Sequence, residues 1–286
     1  MELFKEIEEQ YVETNGIKLH TIISGKGNPV ILLHGFPEFW YGWKNIILGL
    51  KDDFKLIVPD MRGYNRSGKP KGYENYTLDI IIEDIKGLSE QLNLGKFVLV
   101  GHDWGGVVAW AFAEKHPELL TKLIILNSPN PATFRKSIKE SGSQRKASGY
   151  ITQITAPDGE ENLLKNNCEM LRATVFMTAS NKNGYTEFDK EKYIEAWTQP
   201  GAIAGGINYY KANSDLSKWT GVINVPTLVI WGMKDVFLLP SLLDHLDEFV
   251  NDLMIIKSEK ASHWINNDDP ELVISSIKSF INDLLN

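Results

Sequence analysis

Only one cysteine, Cys168, stands among the 286 residues. One thiol cannot form an internal disulfide framework, which fits a reducing compartment and reads as a buried or incidental group. Basic charge is also scarce. Thirty Lys and Arg face 37 Asp and Glu, for a formal charge of −7, and the pI is about 5.5. That balance argues against a nucleic-acid or anionic-membrane partner. Long apolar runs are missing too. The longest mostly apolar span, Phe97 to Ala113, is interrupted by His102, Asp103 and glycines, and reads as a strand plus a core helix rather than a membrane span. The N-terminal residues Met1 to Glu9 are acidic and amphipathic, with neither the basic n-region nor the apolar h-region of a secretory signal. No repeat and no low-complexity tract is found. With 43% hydrophobic and 23% charged residues, the composition is that of an ordinary globular protein of one large domain or two. A cytoplasmic location without membrane insertion is the expectation.

What is present is an alternation of strands and helices. Gln10 to Thr14 and Lys18 to Ser24 flank Asn15-Gly16, a hairpin signal. Val30 to Leu33 is a continuous apolar run of the kind found in central parallel strands. A helix-like stretch to Leu50, a strand over Lys55 to Pro59, and a helix over Leu78 to Leu92 with Thr77 as its N-cap follow. Further strands are expected over 97–100 and Lys122 to Leu126. From about 132 to 217 the pattern is helical and polar, with a basic cluster at Arg135, Lys136, Lys139, Arg145 and Lys146 read as a solvated face. The α/β rhythm resumes with Val225 to Trp231, a helix around Ser241 to Phe249, a strand over Leu253 to Ile256, and a terminal helix from Pro270 to Leu285. The simplest organisation is one mostly parallel α/β sheet flanked by helices, built from residues 1–131 and 218–286, with a helical insertion over 132–217.

The chemistry is carried by Gly101-His102-Asp103-Trp104-Gly105-Gly106. A Gly-x-nucleophile-x-Gly turn between a buried strand and a helix is a nucleophile elbow, where small flanking residues let backbone and substrate come close. Serine is the usual occupant; here it is Asp103. A carboxylate with a pKa near ~4 is anionic at neutral pH and attacks without a base. It suits displacement at an sp3 carbon with a leaving group, such as an epoxide or a halide.

The resulting ester must be hydrolysed, and a water activated by a carboxylate-oriented histidine is the usual device. In elbow folds the order is nucleophile, acid, histidine. Of six histidines, only His245 and His263 follow the return of the sheet pattern. His245 falls within the expected 241–249 helix between Asp244 and Asp247, whereas His263 follows a strand across a short polar loop, where a parallel sheet presents catalytic groups. The acid is expected after the strand ending at Trp231, which points to Asp235; Asn127, at the end of the preceding strand, cannot carry a charge. The N–H groups of Phe36 and Trp104 are the candidate oxyanion donors. The side chains of His34 and His102 read as braces for these turns.

The motifs His34-Gly35-Phe36-Pro37-Glu38, Asp60-Met61-Arg62-Gly63-Tyr64, the elbow, Gly232-Met233-Lys234-Asp235 and Ser262-His263-Trp264 together resemble the α/β-hydrolase superfamily, and more closely its epoxide hydrolase branch. The resemblance implies an α/β-hydrolase fold with an inserted cap, and no metal or organic cofactor. It also implies two cap tyrosines whose phenols, with pKa near ~10, protonate the epoxide oxygen as it leaves. The motif Gly206-Ile207-Asn208-Tyr209-Tyr210-Lys211-Ala212 puts one at Tyr210, and Ser148-Gly149-Tyr150 puts the other at Tyr150. Haloalkane and haloacetate dehalogenases share the framework. Fluoroacetate-type enzymes, however, carry arginines after the nucleophile, where this chain has Trp104 and two glycines. Many haloalkane dehalogenases place a polar residue where Phe36 stands. Asn65 occupies a turn position where glycine is frequent.

The expectation is therefore an epoxide hydrolase acting on a small-molecule epoxide, as a monomer or homodimer. Asp103 is the nucleophile, His263 with Asp235 activates water, and Tyr210 and Tyr150 are the acids. A dehalogenase with the same nucleophile and a non-catalytic small-molecule sensor are the alternatives. Phe134, Ile154, Leu171, Phe176, Met177 and Trp197 either line a pocket or pack the insertion on itself.

Overall fold

The computed structural model describes residues 5–283, so the first four residues and the C-terminal end of the expected last helix, including Leu285, lie outside the described residues. Eight strands form one sheet in the order β1-β2-β4-β3-β5-β6-β7-β8. They are β1 (Glu8–Thr14), β2 (Ile17–Ser24), β3 (Asn28–Leu33), β4 (Phe54–Pro59), β5 (Phe97–His102), β6 (Leu120–Leu126), β7 (Thr227–Gly232) and β8 (Leu253–Ser258). β1 and β2 pair antiparallel, as do β2 and β4. All pairings from β4 to β8 are parallel. The hairpin turns at Asn15 and Gly16, both with positive φ, a geometry that a two-residue turn between twisted strands requires and that Asn-Gly supplies.

The continuous apolar runs become strands buried on both faces: every residue of β5 and of β7 is buried. Helices α1 (Lys44–Leu50), α2 (Leu78–Gln91) and α3 (Trp104–Lys115) connect the strands of the first half. Thr77 does sit at the N-cap of α2, but its side chain makes no capping hydrogen bond; its backbone carbonyl accepts from the Ile80 and Ile81 N–H groups instead. α3 is buried almost all round, so its sequence shows no polar stripe.

Between β6 and β7 lie six α-helices, α4 (Pro131–Glu140), α5 (Gly142–Ala147), α6 (Tyr150–Ile154), α7 (Gly159–Arg172), α8 (Glu187–Trp197) and α9 (Ala202–Ala212), with a π-helical turn over Ala173–Met177. α7 is broken in the middle: Asn166, Asn167 and Cys168 take left-handed φ of 51°, 57° and 59°. Asparagine tolerates that region by local hydrogen bonding, whereas the cysteine is strained there. Arg135 of the basic cluster is not merely solvated, since its guanidinium donates to the carbonyls of Leu216 and Trp219.

After β7 one expectation fails. No helix runs over Ser241 to Phe249; two 3-10 turns, Pro240–Leu243 and Leu246–Glu248, replace it. Leu242, Leu243 and Leu246 are all buried, a spacing that a helix and two successive tight turns satisfy equally. His245 breaks the helix by taking a left-handed φ of 62°. The chain ends with α10 (Ile265–Asp268) and α11 (Pro270–Ile281). Among the described residues no helix is long and apolar enough to cross a membrane.

Candidate active site

The site gathers at the carboxyl ends of the parallel strands, where loops after β3, β5, β7 and β8 meet the helical insertion. Asp103 occupies the residue between β5 and α3 with φ 51° and ψ −122°, outside the ordinary regions for a residue with a side chain. Three glycines make that turn possible by close approach. A Cβ on Gly101 would lie 2.3 Å from the Gly105 carbonyl oxygen, one on Gly105 would lie 2.1 Å from the Leu33 oxygen, and one on Gly35 would lie 2.3 Å from Asp103 Cβ.

The Asp103 carboxylate is buried and its two oxygens are differently held. Oδ1 accepts the Phe36 N–H at 2.7 Å. Oδ2 lies 3.6 Å from His263 Nε2, beyond a hydrogen bond. Trp104 is the first residue of α3, so its N–H has no intrahelical acceptor and stands at the helix's positive end.

His263 Nδ1 meets Asp235 Oδ2 at 2.7 Å. Asp235 is fixed by four further contacts. Its Oδ1 accepts the N–H groups of Phe237 and Leu238 at 2.8 and 2.9 Å, its Oδ2 accepts from Asn127 Nδ2 at 2.8 Å, and its own N–H donates to the Gly232 carbonyl. Burial alone would lower the His263 pKa, but the adjacent carboxylates of Asp235 and Asp103 push it up to about 10. Burial would raise the Asp103 pKa, yet the contact and charge of His263, the His102 charge and the Phe36 N–H hold it below the ordinary value. These directions favour a protonated His263 beside an ionised Asp103.

Two phenols line the same cavities as Asp103. The Tyr150 and Tyr210 hydroxyls are 3.5 Å apart. The Tyr210 ring stands edge-on between those of Trp104, at 5.0 Å, and Phe36, at 5.6 Å. Burial first, with the neighbouring phenol and the Asp103 charge, pushes the Tyr210 pKa far up. Burial and Asp103 do the same to Tyr150. Both therefore remain protonated donors. α9 fixes Tyr210 firmly: Tyr209 donates to the Arg62 carbonyl at 2.9 Å and Asn213 to that of Tyr76 at 2.9 Å. The close approach of α9 also depends on glycine, since a Cβ on Gly205 would lie 2.2 Å from the Gly63 carbonyl oxygen.

Asp103, Tyr150 and Tyr210 line two cavities. One, of about 260 Å³, is walled by Trp104, Val107, Phe134, Ile138 and Leu216. The other, of about 90 Å³, is walled by Pro37, Ile154, Leu171, Phe237 and Trp264 and also reaches His263. Of the six insertion residues with an open role, Phe134, Ile154 and Leu171 therefore face cavities. Phe176 packs against Tyr185, Tyr193 and Trp197, Met177 is exposed, and Trp197 is buried with its Nε1 on the Pro37 carbonyl.

His34 and His102 brace the turns. His34 Nε2 accepts the Met61 N–H at 3.0 Å, and His102 Nε2 donates to the His263 carbonyl at 2.8 Å while its Nδ1 meets Glu38 Oε2 at 2.8 Å. Glu38, whose place in its motif shows no role, is buried and also receives the Tyr193 hydroxyl at 2.9 Å. The sequence signal was a carboxylate directly after an apolar turn, with nothing local to pair it. Asn65 takes a left-handed φ of 38° and donates to Asp60 Oδ2, a conformation that asparagine accepts in place of glycine.

A sharp strand-to-helix turn at Asp103, with Asp235 and His263 on later loops of one mostly parallel sheet, is the arrangement of the α/β-hydrolase class. The family profile for the alpha/beta hydrolase fold matches residues 28–270. An AB hydrolase superfamily protein of Bacillus subtilis, YfhM, is 39% identical over 278 residues, covering 95% of this chain and 97% of that protein. Epoxide hydrolase 1 of Caenorhabditis elegans is 37% identical, covering 96% of this chain and 70% of that protein. The crystal structure of a Bacillus megaterium epoxide hydrolase with an inhibitor superposes with a TM-score of 0.90 at 33% identity, covering 96% of this chain and all of that one. The chain belongs to the α/β-hydrolase superfamily, and within it to the epoxide hydrolase branch.

Proposed function

We propose that this protein is an epoxide hydrolase and that helices α4 to α9 are its cap, closing over the nucleophile. The observation that carries the reading is the pair of phenols 3.5 Å apart lining the same cavities as the buried Asp103. An epoxide oxygen leaves as a strongly basic alkoxide and needs a proton donor, whereas a halide does not. The dehalogenase alternative has no use for that pair, and a silent sensor has no use for a complete Asp103, Asp235 and His263 set.

Asp103 Oδ1 is held by the Phe36 N–H, so Oδ2 attacks an epoxide carbon. That carbon–oxygen bond breaks as the new ester bond forms, and Tyr210 with Tyr150 gives the alkoxide a proton. The His263 imidazolium replaces the proton lost by the phenols. Forming the ester removes the Asp103 charge that favoured the imidazolium, so His263 becomes a neutral base. It then takes a proton from water, the hydroxide adds to the Asp103 carboxyl carbon, and the Phe36 and Trp104 N–H groups receive the oxyanion. Collapse releases a vicinal diol and restores aspartate and imidazolium, with one oxygen passing through Asp103. No metal or organic cofactor enters these steps.

The unequal cavities favour epoxides with one bulky apolar substituent and a hydrogen or short alkyl group on the other side. A mutant of the Bacillus megaterium enzyme was crystallised with a naphthyloxy-propanediol product, which has that asymmetry. The acidic chain with one free cysteine suits a cytoplasmic enzyme that works as a monomer or homodimer.

The test is to incubate the protein with styrene oxide and with a bromoalkane and measure diol and bromide separately. Diol without bromide is the expected result. Bromide without diol overturns the reading.

A further inference from the structure

Asp189, Tyr193 and Trp197 are spaced four apart on α8 and therefore share one face. All three are buried against the segment that follows β3. Asp189 Oδ1 accepts the Tyr41 hydroxyl at 2.8 Å and its Oδ2 pairs with Lys44 at 2.5 Å. Tyr193 donates to Glu38 Oε1 at 2.9 Å, and Trp197 Nε1 donates to the Pro37 carbonyl at 2.6 Å. The helix is thus stitched to residues 37–44 by a ladder of hydrogen bonds.

Two of its rungs end in one short turn. Gly35 to Glu38 is closed by the Glu38 N–H on the Gly35 carbonyl at 3.0 Å, and it carries the Phe36 N–H that sits on Asp103. We infer that Trp197 and Tyr193 are positioning residues for this amide: the cap sets the oxyanion site of the core. The inference rests on the reading in which Asp103 forms an ester.

Chemistry separates this role from plain packing. During ring opening the Asp103 carboxylate loses charge, so a donor on Oδ1 gains nothing from being well placed. During ester hydrolysis the same oxygen becomes an oxyanion, and the bond from Phe36 strengthens. A misplaced Phe36 N–H therefore slows ester breakdown and spares ester formation. Trp197→Phe keeps the ring that packs on Phe176 and Tyr193 and removes only the donor.

The experiment measures two quantities in wild type, Trp197→Phe and the control Arg135→Met, which removes comparable bonds from α4 to the Leu216 and Trp219 carbonyls. The first is single-turnover ester formation and breakdown on styrene oxide, followed by intact mass. The second is amide hydrogen exchange at Phe36. Trp197→Phe should slow breakdown about tenfold with formation within twofold, and speed Phe36 exchange about tenfold, with neither change in Arg135→Met. Equal slowing of both steps, an unchanged Phe36 exchange rate, or the same change in the control overturns the inference. If the wild-type protein makes no diol, the proposed activity falls, and the exchange rate in Trp197→Phe still decides whether α8 holds the amide.

Discussion

Asn127 donates to Oδ2 of Asp235 at 2.8 Å, the same oxygen that His263 Nδ1 meets at 2.7 Å. The residue at the end of β6, which cannot carry a charge, instead holds the carboxylate proposed as the acid. Its other end accepts the Gly232 N–H at 2.8 Å, so one amide side chain ties β6, β7 and the acid together.

Replacing Asn127 with leucine leaves the buried Gly232 N–H without its acceptor, at a cost of about 1–3 kcal/mol in stability. Asp235 retains its two backbone donors and its charge, so turnover falls far less than in Asp235→Asn. There the loss should be on the order of 10⁴-fold. Urea unfolding and diol formation measured on both variants check the contrast; equal activity losses would deny Asn127 its supporting role.

The nucleophile and base separate by what accumulates. Asp103→Asn should form no covalent adduct with styrene oxide, because the amide is a poor nucleophile. His263→Gln should form the ester and hold it, giving a mass increase equal to the substrate. An adduct on the Asp103 variant would move the nucleophile elsewhere.

The phenols are unequal in support. Tyr210 rides on a helix locked to the core by Gly205, Tyr209 and Asn213, whereas Tyr150 begins the short α6 and is only half-buried. Tyr210→Phe should slow ring opening more than Tyr150→Phe does. Single losses of roughly 10²-fold suit removal of a general acid, and the double variant should be inactive on epoxides. Pre-steady-state ester formation reads this directly.

Stability should fall on the alkaline side. The His263 pKa is raised to about 10 in the folded protein, against an unfolded value near ~6.5. Its contribution is fully present below ~6.5 and is lost as pH climbs towards 10. Asp103 has the opposite sign, its depressed pKa giving stability that is lost as pH falls. Urea unfolding between pH 7 and 10 should show a shallower decline in Asp103→Asn, where His263 has lost one carboxylate. Identical slopes would place the titrating group elsewhere.

Much of this architecture was legible because its signals are local. Continuous apolar runs marked the buried parallel strands, glycines spaced around Asp103 marked the elbow, and Asn15-Gly16 marked the hairpin. The failures came where one pattern fits two backbones: Leu242, Leu243 and Leu246 suit a helix or paired 3-10 turns, and Asn166 to Cys168 gave no periodic sign of a left-handed turn. Glu38, Tyr193 and Trp197 escaped for another reason. Their partners lie more than 150 residues away or across the fold, and no spacing along the chain encodes such a meeting.

The acceptors on the core side of several cap contacts are main-chain carbonyls, those of Pro37, Arg62 and Tyr76. Every amino acid carries that group, so the core can exchange side chains at these positions and still receive the same donors. At these points the instructions for docking are written on the inserted helices, whereas Asp189 and Tyr193 also need the core side chains of Tyr41, Lys44 and Glu38. A transplanted cap would need to bring Trp197, Tyr209 and Asn213 with it, and at those three points would ask of its host only a backbone of the right shape.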